Sequence, residues 1–319
     1  MSIRIIGTGH CLPKTAITND ELAEFLDTSD EWISTRTGIK SRYVCTTEEL
    51  SELAYSAAVN ALDMANVMPQ DIDTIICSTV CGDYLTPSMS CILNSRLGVS
   101  CRSFDVNGAC SGFIYALEIA QAYIDSGISK RILLVSAESM SRLADWKDRA
   151  TCVLFGDGAG AVVIEGGDDL LSIHVTSSGN KDILYIPSVS GNSPFDQVPK
   201  EQPFIHMNGK EVFKFAVTSI SSDIKKVLTD AGVSEKDVNY VLLHQANLRI
   251  IDAAQKRIDI SADKFLTNID KCGNTSSASI PILLDEEARK GTFRKGDILV
   301  MSAFGGGLAT GACVLKWGI

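Results

Sequence analysis

The sequence predicts an α/β fold built from two similar halves, and three observations carry that prediction. Compact apolar runs of strand length at 74–77, 132–135, 241–243 and 298–301 suit buried parallel strands. Stretches with helical spacing lie between them, the alternation that defines the α/β class. The chain also repeats itself: LDMANVMPQDIDTIICS at 62–78 aligns without gaps with LTDAGVSEKDVNYVLLH at 228–244, and ILLVSAE at 132–138 aligns with ILVMSAF at 298–304, both at an offset of 166 (62 to 228, 132 to 298). Two matching blocks at one spacing describe two α/β halves, 1–168 and 169–319, joined near 166–169 and packed face to face about a pseudo-twofold axis.

Taken in order, residues 3–6 read as a first strand ending at Gly7. Thr18-Asn19-Asp20-Glu21 has the capping-box pattern ahead of Leu22, Phe25 and Leu26, so a helix is expected there. A longer helix is expected over 48–65, where Leu50, Leu53, Ala54, Ala57, Ala58, Ala61 and Leu62 fall on one face. The segment 187–203 carries Pro187, Pro194, Pro199 and Pro203 and is too long for a plain connection. It reads as a surface excursion or a lid, and no chemistry is assigned to it.

Composition narrows the function. A chain of 319 residues with 45% hydrophobic content can bury a large core. The formal net charge of -10 opposes nucleic-acid binding, which requires a basic footprint. It also means that an acidic protein partner would need a local basic patch. No apolar run reaches the length of a membrane span and residues 1–14 lack the layout of a signal peptide, so a cytoplasmic protein without membrane or nucleic-acid partners is expected. The ten cysteines are scattered without CxxC spacing, which indicates neither a disulfide framework nor a zinc site.

One of those cysteines stands apart. Asp105-Val106-Asn107-Gly108-Ala109-Cys110-Ser111-Gly112 is a turn of small residues between an expected strand and an expected helix. The unpaired N–H groups of a helix start favour a thiolate, so Cys110 is a candidate nucleophile. In isolation such a cysteine is far more often a small buried hydrophobe than a nucleophile. In the second half, Asn274 of Cys272-Gly273-Asn274 takes the matching place at a slightly different offset of 164 (110 to 274). His244 ends the strand 241–243, at the carboxyl edge where open α/β sheets bind ligands. Alone, His244 would be a satisfied core histidine and Asn274 a helix cap. The pseudo-twofold brings all three to one place, and a thiolate, an imidazole and a carboxamide together suit acyl transfer.

Five motifs in register then identify a resemblance. They are NGACSG around Cys110, His244-Gln245-Ala246-Asn247-Leu248-Arg249, Gly273-Asn274-Thr275-Ser276, Phe155-Gly156-Asp157-Gly158-Ala159-Gly160, and Phe304-Gly305-Gly306-Gly307. In these the chain resembles, over essentially its whole length, the thiolase superfamily and specifically the beta-ketoacyl-acyl-carrier-protein synthase III family. The resemblance implies a thiolase-like fold layered α-β-α-β-α. It implies a decarboxylating condensation of an acyl-CoA primer with malonyl-acyl carrier protein, initiating fatty-acid synthesis, with acyl-CoA as a substrate and no cofactor or metal.

By the same resemblance Cys110 carries the acyl group, and His244 and Asn274 hydrogen-bond the malonyl thioester. The N–H groups of Cys110 and Gly306 form the oxyanion hole. Trp32 and Arg149 sandwich the CoA adenine and Arg36 contacts its phosphates. Lys214, Arg249, Lys256 and Arg257 dock the carrier protein, with Arg249 and Lys256 seven residues apart on one helix face. A homodimer is expected by family analogy. Many relatives carry phenylalanine where this chain has Thr86, in a segment that lines the acyl pocket across the dimer interface. The smaller side chain implies room for primers longer than acetyl. The same triad would also serve a starter condensing enzyme or acyltransferase of secondary metabolism. A thiolase proper would use a second catalytic cysteine where this chain has GNTS.

Overall fold

The structure is a computed structural model that describes residues 2–188, 191 and 193–319. In the first half, β1 (Ser2–Cys11) is followed by the hairpin strands β2 (Thr15–Thr18) and β3 (Ser41–Val44), which flank α1 (Asn19–Ala23) and α2 (Asp30–Thr37). Then come α3 (Leu50–Ala65), β4 (Thr74–Ser78), α4 (Met89–Leu97), β5 (Arg102–Val106), α5 (Gly112–Asp125), β6 (Arg131–Ser139) and β7 (Asp157–Gly167). The second half runs β8 (Leu170–Ser177), the short pair β9 (Leu184–Tyr185) and β10 (His206–Met207), α6 (Gly209–Ala231), β11 (Tyr240–Leu243) and α7 (Leu248–Gln255). It closes with β12 (Phe265–Leu266), α8 (Ile269–Cys272), α9 (Ser279–Lys290), β13 (Ile298–Gly305) and β14 (Ala309–Lys316).

The two main sheets have one topology. The first is ordered β1-β7-β6-β4-β5 and the second, read from its own first strand, β8-β14-β13-β11-β12. In each, the opening strand pairs antiparallel with the closing one, and the three remaining strands are mutually parallel. The four apolar runs become β4, β6, β11 and β13, longer by up to five residues than their apolar cores. The middle layer is α5 and α9, whose Phe113, Ile114, Leu117, Ile280, Leu283 and Leu284 pack against strands of both sheets. Helix α3 covers the outer face of the first sheet and α6 with α7 that of the second, which completes five layers.

Helix α3 forms as its periodicity predicts, with all seven apolar residues of the expected face buried. Asn66, in the left-handed conformation, caps its end. The expected end of β1 at Gly7 is not observed, because the strand continues through a bulge to Cys11. Its glycines serve packing instead. A Cβ at Gly7 would sit 2.3 Å from the Ala61 carbonyl oxygen, and one at Gly9 2.3 Å from that of Ala57, so α3 lies directly on the strand backbone. The capping box at Thr18 is present, with Glu21 accepting the Thr18 N–H at 2.7 Å, but α1 stops after Ala23. Leu22 and Leu26 are buried and Phe25 projects outward.

Candidate active site

The carboxyl ends of β4, β6, β11 and β13 and the starts of α5 and α9 meet at a cavity of about 950 Å³. Cys110, His244 and Asn274 all line it, as do Phe304, Gly305 and Gly306. Cys110 is 134 positions from His244 and 164 from Asn274 in the chain (110 to 244, 110 to 274), yet all three line the same cavity.

Cys110 sits in a 3-10 turn, Ala109–Ser111, that leads into α5. Ala109 has φ 46°, a left-handed conformation rare for a residue with a side chain. The second half repeats this: Ser276 has φ 49°, opens the 3-10 turn Ser276–Ala278, and leads into α9. Asn107 Oδ1 accepts the Ala109 N–H at 3.2 Å, and Asn274 Oδ1 accepts the Ser276 N–H at 2.9 Å. These matched turns correct the sequence correspondence. The counterpart of Asn274 is Asn107, and that of Cys110 is Ser277, at an offset of 167 (107 to 274, 110 to 277). Cys110 and Asn274 are neighbours because two equivalent turns face each other, not because they are equivalent positions.

The turn does not leave Cys110 with a depressed pKa. Burial pushes its thiol up to about 11, the Ser276 hydroxyl, 3.4 Å from Sγ, pulls it back, and the nearby Glu138 carboxylate adds to the rise. Gly305 packs on the same turn so closely that a Cβ there would lie 2.7 Å from the Cys110 nitrogen. Only glycine fits, and that brings the 305–307 backbone alongside Cys110.

His244, at the end of β11, is 2% exposed and burial holds its pKa down at about 3, so the imidazole is neutral at working pH. Its Nδ1 lies 2.7 Å from Ser279 Oγ, which also accepts the Gln245 N–H at 3.4 Å. When the Ser279 hydroxyl donates to Nδ1, the ring proton sits on Nε2. Phe304 packs edge-on against the ring, with centroids 5.3 Å apart. Asn274 is held by its backbone: its N–H donates to the Leu154 carbonyl at 2.8 Å, and its carbonyl accepts the Gly156 N–H at 3.0 Å. Because Ser276 occupies Oδ1, the amide NH2 is left as donor to the cavity.

The other expected residues cluster outside this wall. Arg36 and Arg149 both stand over the Trp32 ring, at 4.6 and 5.3 Å from its centroid. Arg149 also pairs with the Asp27 carboxylate at 3.0 Å. Arg249 donates to the Thr35 carbonyl at 3.0 Å, which ties α7 to α2 beside Arg36. Arg249, Lys256 and Arg257 line a second, shallower groove with Phe213, and Lys214 follows Phe213 on α6; Asp252 shares the groove. Lys256 is the residue that caps α7 rather than a member of its interior.

Thr86 is exposed and is not part of the wall of its own chain's cavity; Leu85, 89% exposed, is. Of the proline-rich segment, Pro187, Ser188 and Pro203 line the cavity, and Val189, Ser190 and Asn192 lie outside the described residues. Among the described residues no group of three or more His, Cys, Asp or Glu could hold a metal, and no helix is long and apolar enough to cross a membrane.

Ser276, Ser279 and Glu138 carry no functional assignment from the sequence. Ser279 follows the GNTS motif by three residues, and Glu138 ends the first-half repeat ILLVSAE opposite Phe304 of ILVMSAF. That mismatch of a charged residue with an aromatic one, in otherwise matching blocks, was the available signal.

Comparison with known proteins agrees with this geometry. Residues 104–179 match the family described as 3-Oxoacyl-[acyl-carrier-protein (ACP)] synthase III, and residues 228–317 match that described as its C terminal part. The chain is 46% identical to a beta-ketoacyl-[acyl-carrier-protein] synthase III of Clostridium acetobutylicum, covering 99% of each chain. It is 45% identical to one of Xylella fastidiosa, covering 98% of each. Among solved structures, 3-oxoacyl-[acyl-carrier-protein] synthase III of Aquifex aeolicus is similar with a TM-score of 0.92 and 42% identity, covering 99% of this chain and 100% of that one. The priming beta-ketosynthase of the R1128 polyketide pathway is similar with a TM-score of 0.92 and 33% identity, covering 99% and 96%.

Proposed function

The chain belongs to the 3-oxoacyl-[acyl-carrier-protein] synthase III family, and from that premise we propose how its residues carry out the condensation. The protein is an acyltransferase of fatty-acid synthesis that joins an acyl-CoA primer to malonyl-acyl carrier protein with loss of carbon dioxide. The observation that carries the residue assignment is the convergence of Cys110, His244 and Asn274 in the lining of one cavity.

Cys110 Sγ attacks the primer thioester, and CoA leaves as its thiolate. The N–H groups of Cys110 and Gly306 receive the oxyanion, and the contact between Gly305 and the Cys110 turn supports that pairing. Malonyl-acyl carrier protein then enters. The Nε2–H of neutral His244 and the amide NH2 of Asn274 donate to its thioester carbonyl, so the electron pair released with carbon dioxide is held as an enolate. The enolate carbon attacks the acyl-Cys110 carbonyl, Cys110 thiolate departs, and the 3-oxoacyl product is two carbons longer. Acyl-CoA is a substrate here, and no step calls for a cofactor or metal.

Trp32, Arg36 and Arg149 hold the CoA nucleotide, supported by their stacking beside the α2–α7 contact. Lys214, Arg249, Lys256 and Arg257 receive the acidic carrier protein, which supplies the local positive surface that a chain of net charge -10 otherwise lacks. We read residues 1–168 and 169–319 as the two halves and the working unit as a cytoplasmic homodimer. The similarity to a priming polyketide synthase favours a second reading, in which the same triad accepts a starter of secondary metabolism.

The test is to incubate the protein with radiolabelled acetyl-CoA and longer acyl-CoAs and then add malonyl-acyl carrier protein. Label on Cys110, absent in Cys110→Ala, followed by carbon dioxide release and a 3-oxoacyl product is the expected result. Failure of every acyl-CoA to label the protein would sink the reading. His244→Ala and Asn274→Ala should slow decarboxylation by about 100-fold or more while sparing acylation, and equal loss of both steps would contradict the roles given above.

A further inference from the structure

The reaction requires the Cys110 thiol proton to leave before attack and to return when the thiolate is expelled. His244 is a poor carrier for that proton, because burial makes its imidazole a weak base and its Nδ1 is engaged by Ser279. A different side chain stands at the other end of a hydrogen-bond path from Cys110. Ser276 Oγ is 3.4 Å from Cys110 Sγ and 3.1 Å from Glu138 Oε1. One hydroxyl proton cannot serve two acceptors at once, so Ser276 bridges either a thiol and a carboxylate or a thiolate and a carboxylic acid.

Glu138 is fully buried at the end of β6. Its Oε2 accepts the Val80 N–H at 3.0 Å, the Cys81 thiol at 3.1 Å and the Thr79 hydroxyl at 3.4 Å. Its Oε1 accepts the Ser277 hydroxyl at 2.7 Å in addition to Ser276. The carboxylate is thus fully hydrogen-bonded. The protonated form is accommodated too: Ser277 has a second acceptor in the Ser78 carbonyl at 3.4 Å, and Ser276 has one in Cys110 Sγ. Every group needed for both states is in place without backbone movement.

The titratable groups facing Glu138 are Cys77 on β4, Cys81 in the loop after β4, and Cys110, with Asp157 on β7 beyond Cys81. All are neutral or negative, and no cation is among them. A second negative charge in this pocket is therefore costly, and burial already holds the Glu138 pKa above its ordinary value. Under those conditions a thiol and a carboxyl that share a hydrogen-bond path titrate as one unit.

We propose that Glu138, acting through the Ser276 hydroxyl, takes up and returns the Cys110 thiol proton during each turnover. As Sγ attacks the primer, its proton passes to Ser276 Oγ while the Ser276 proton passes to Glu138 Oε1. The carbon–sulfur bond to CoA breaks, and the CoA thiolate takes a proton from water. When the condensation expels the Cys110 thiolate, the same path runs backwards and restores the thiol and the Glu138 carboxylate. Glu138 is a positioning and proton-storing residue, whereas Ser276 touches the reacting sulfur. Ser276 combines this contact with a left-handed φ of 49°, a conformation costly for a residue with a side chain.

The inference rests on Cys110 as nucleophile, but it is tested without acyl-CoA, so its failure and that of the condensation are told apart. The rate of Cys110 alkylation by iodoacetamide is followed by mass spectrometry of the Cys110 peptide in the full chain, from pH 6 to pH 10. In the intact protein the rate is expected to level off over a plateau, because the thiolate then exists chiefly with its proton on Glu138. In Glu138→Gln the plateau should vanish, the rate rising about tenfold per pH unit and overtaking the intact protein at alkaline pH. In Ser276→Gly, which accepts the positive φ and removes only the hydroxyl, the plateau should fall about tenfold, since the thiolate loses a charge-assisted hydrogen bond. These opposite displacements separate proton sharing from a structural role, which would scale the rate by one factor at every pH. A Glu138→Gln profile with the shape of the intact one overturns the proposal. So does a Ser276→Gly plateau within twofold of the intact level, which decides the matter by itself if Glu138→Gln does not fold.

Discussion

At the scale of the residue, the site is built by burial and by the hydrogen bonds that make burial tolerable. His244 is the clearest case. An imidazole whose pKa is about 3 in the fold and near 6.5 in the unfolded chain binds its proton only on unfolding as pH drops between those values. The sign follows: the stabilisation is complete above pH 6.5 and is lost as pH falls toward 3, at up to about 1.4 kcal/mol per pH unit. Denaturant melts at pH 7, 5.5 and 4 should therefore show the stability difference between the protein and His244→Gln shrinking as pH falls. A difference that is constant with pH would mean that His244 does not remain neutral. The residue types at the site are legible in the sequence, because cysteine, histidine and asparagine in family motifs are recognisable without a fold. Their environments are not. A helix start predicts a lowered thiol pKa for Cys110, but burial, a property of the whole neighbourhood, raises it instead.

At the scale of the element, periodicity performs well where one face of a regular element is buried and poorly where packing sets the boundary. Helix α3 is readable because its seven buried apolar residues share one face. The predicted end of β1 at Gly7 fails, since glycine commonly marks a turn, whereas here Gly7 and Gly9 admit the α3 backbone. Gly9→Ala should accordingly lower stability by about 1–3 kcal/mol through overpacking, measured as a reduced denaturation midpoint, with the acylation rate of the folded fraction unchanged. An unaltered midpoint would show that the β1–α3 contact yields without cost. The turn pair at Ala109 and Ser276 also belongs to this scale. Aligning the two halves by sequence pairs Cys110 with Asn274, whereas matching backbone conformations pair it with Ser277. A short turn with little apolar content has no periodicity to align, so only its dihedral angles reveal the equivalence.

At the scale of the whole molecule, two sheets of one topology enclose α5 and α9 and bring the functional ends of both halves together. One part of the cavity lies at the surface. Leu85, which lines the cavity, is 89% exposed, and its neighbour Tyr84 is 57% exposed, so apolar side chains beside Thr86 are left open to solvent in the single chain. A homodimer that covers this segment is the expectation, with Thr86 in the partner's acyl pocket. Sedimentation should give twice the chain mass. Thr86→Phe should depress the rate with longer acyl-CoAs at least tenfold more than the rate with acetyl-CoA. Equal effects on all primers, or strict acetyl preference in the unaltered protein, would remove Thr86 from the pocket.

By itself the sequence determined the α/β class, the duplication, most of the strands, the family and the candidate site residues Cys110, His244 and Asn274. Those features are encoded locally, in apolar spacing, in repeated blocks and in short motifs. The tertiary structure alone decided the protonation states and the equivalences between halves: the neutral His244 held by Ser279, the raised thiol of Cys110, and the Ser276–Glu138 path behind it. Charge states and hydrogen-bond partners depend on which side chains exclude water from a site. Glu138 and Ser276 are 138 residues apart in the chain, and only the packing of the two halves makes them partners.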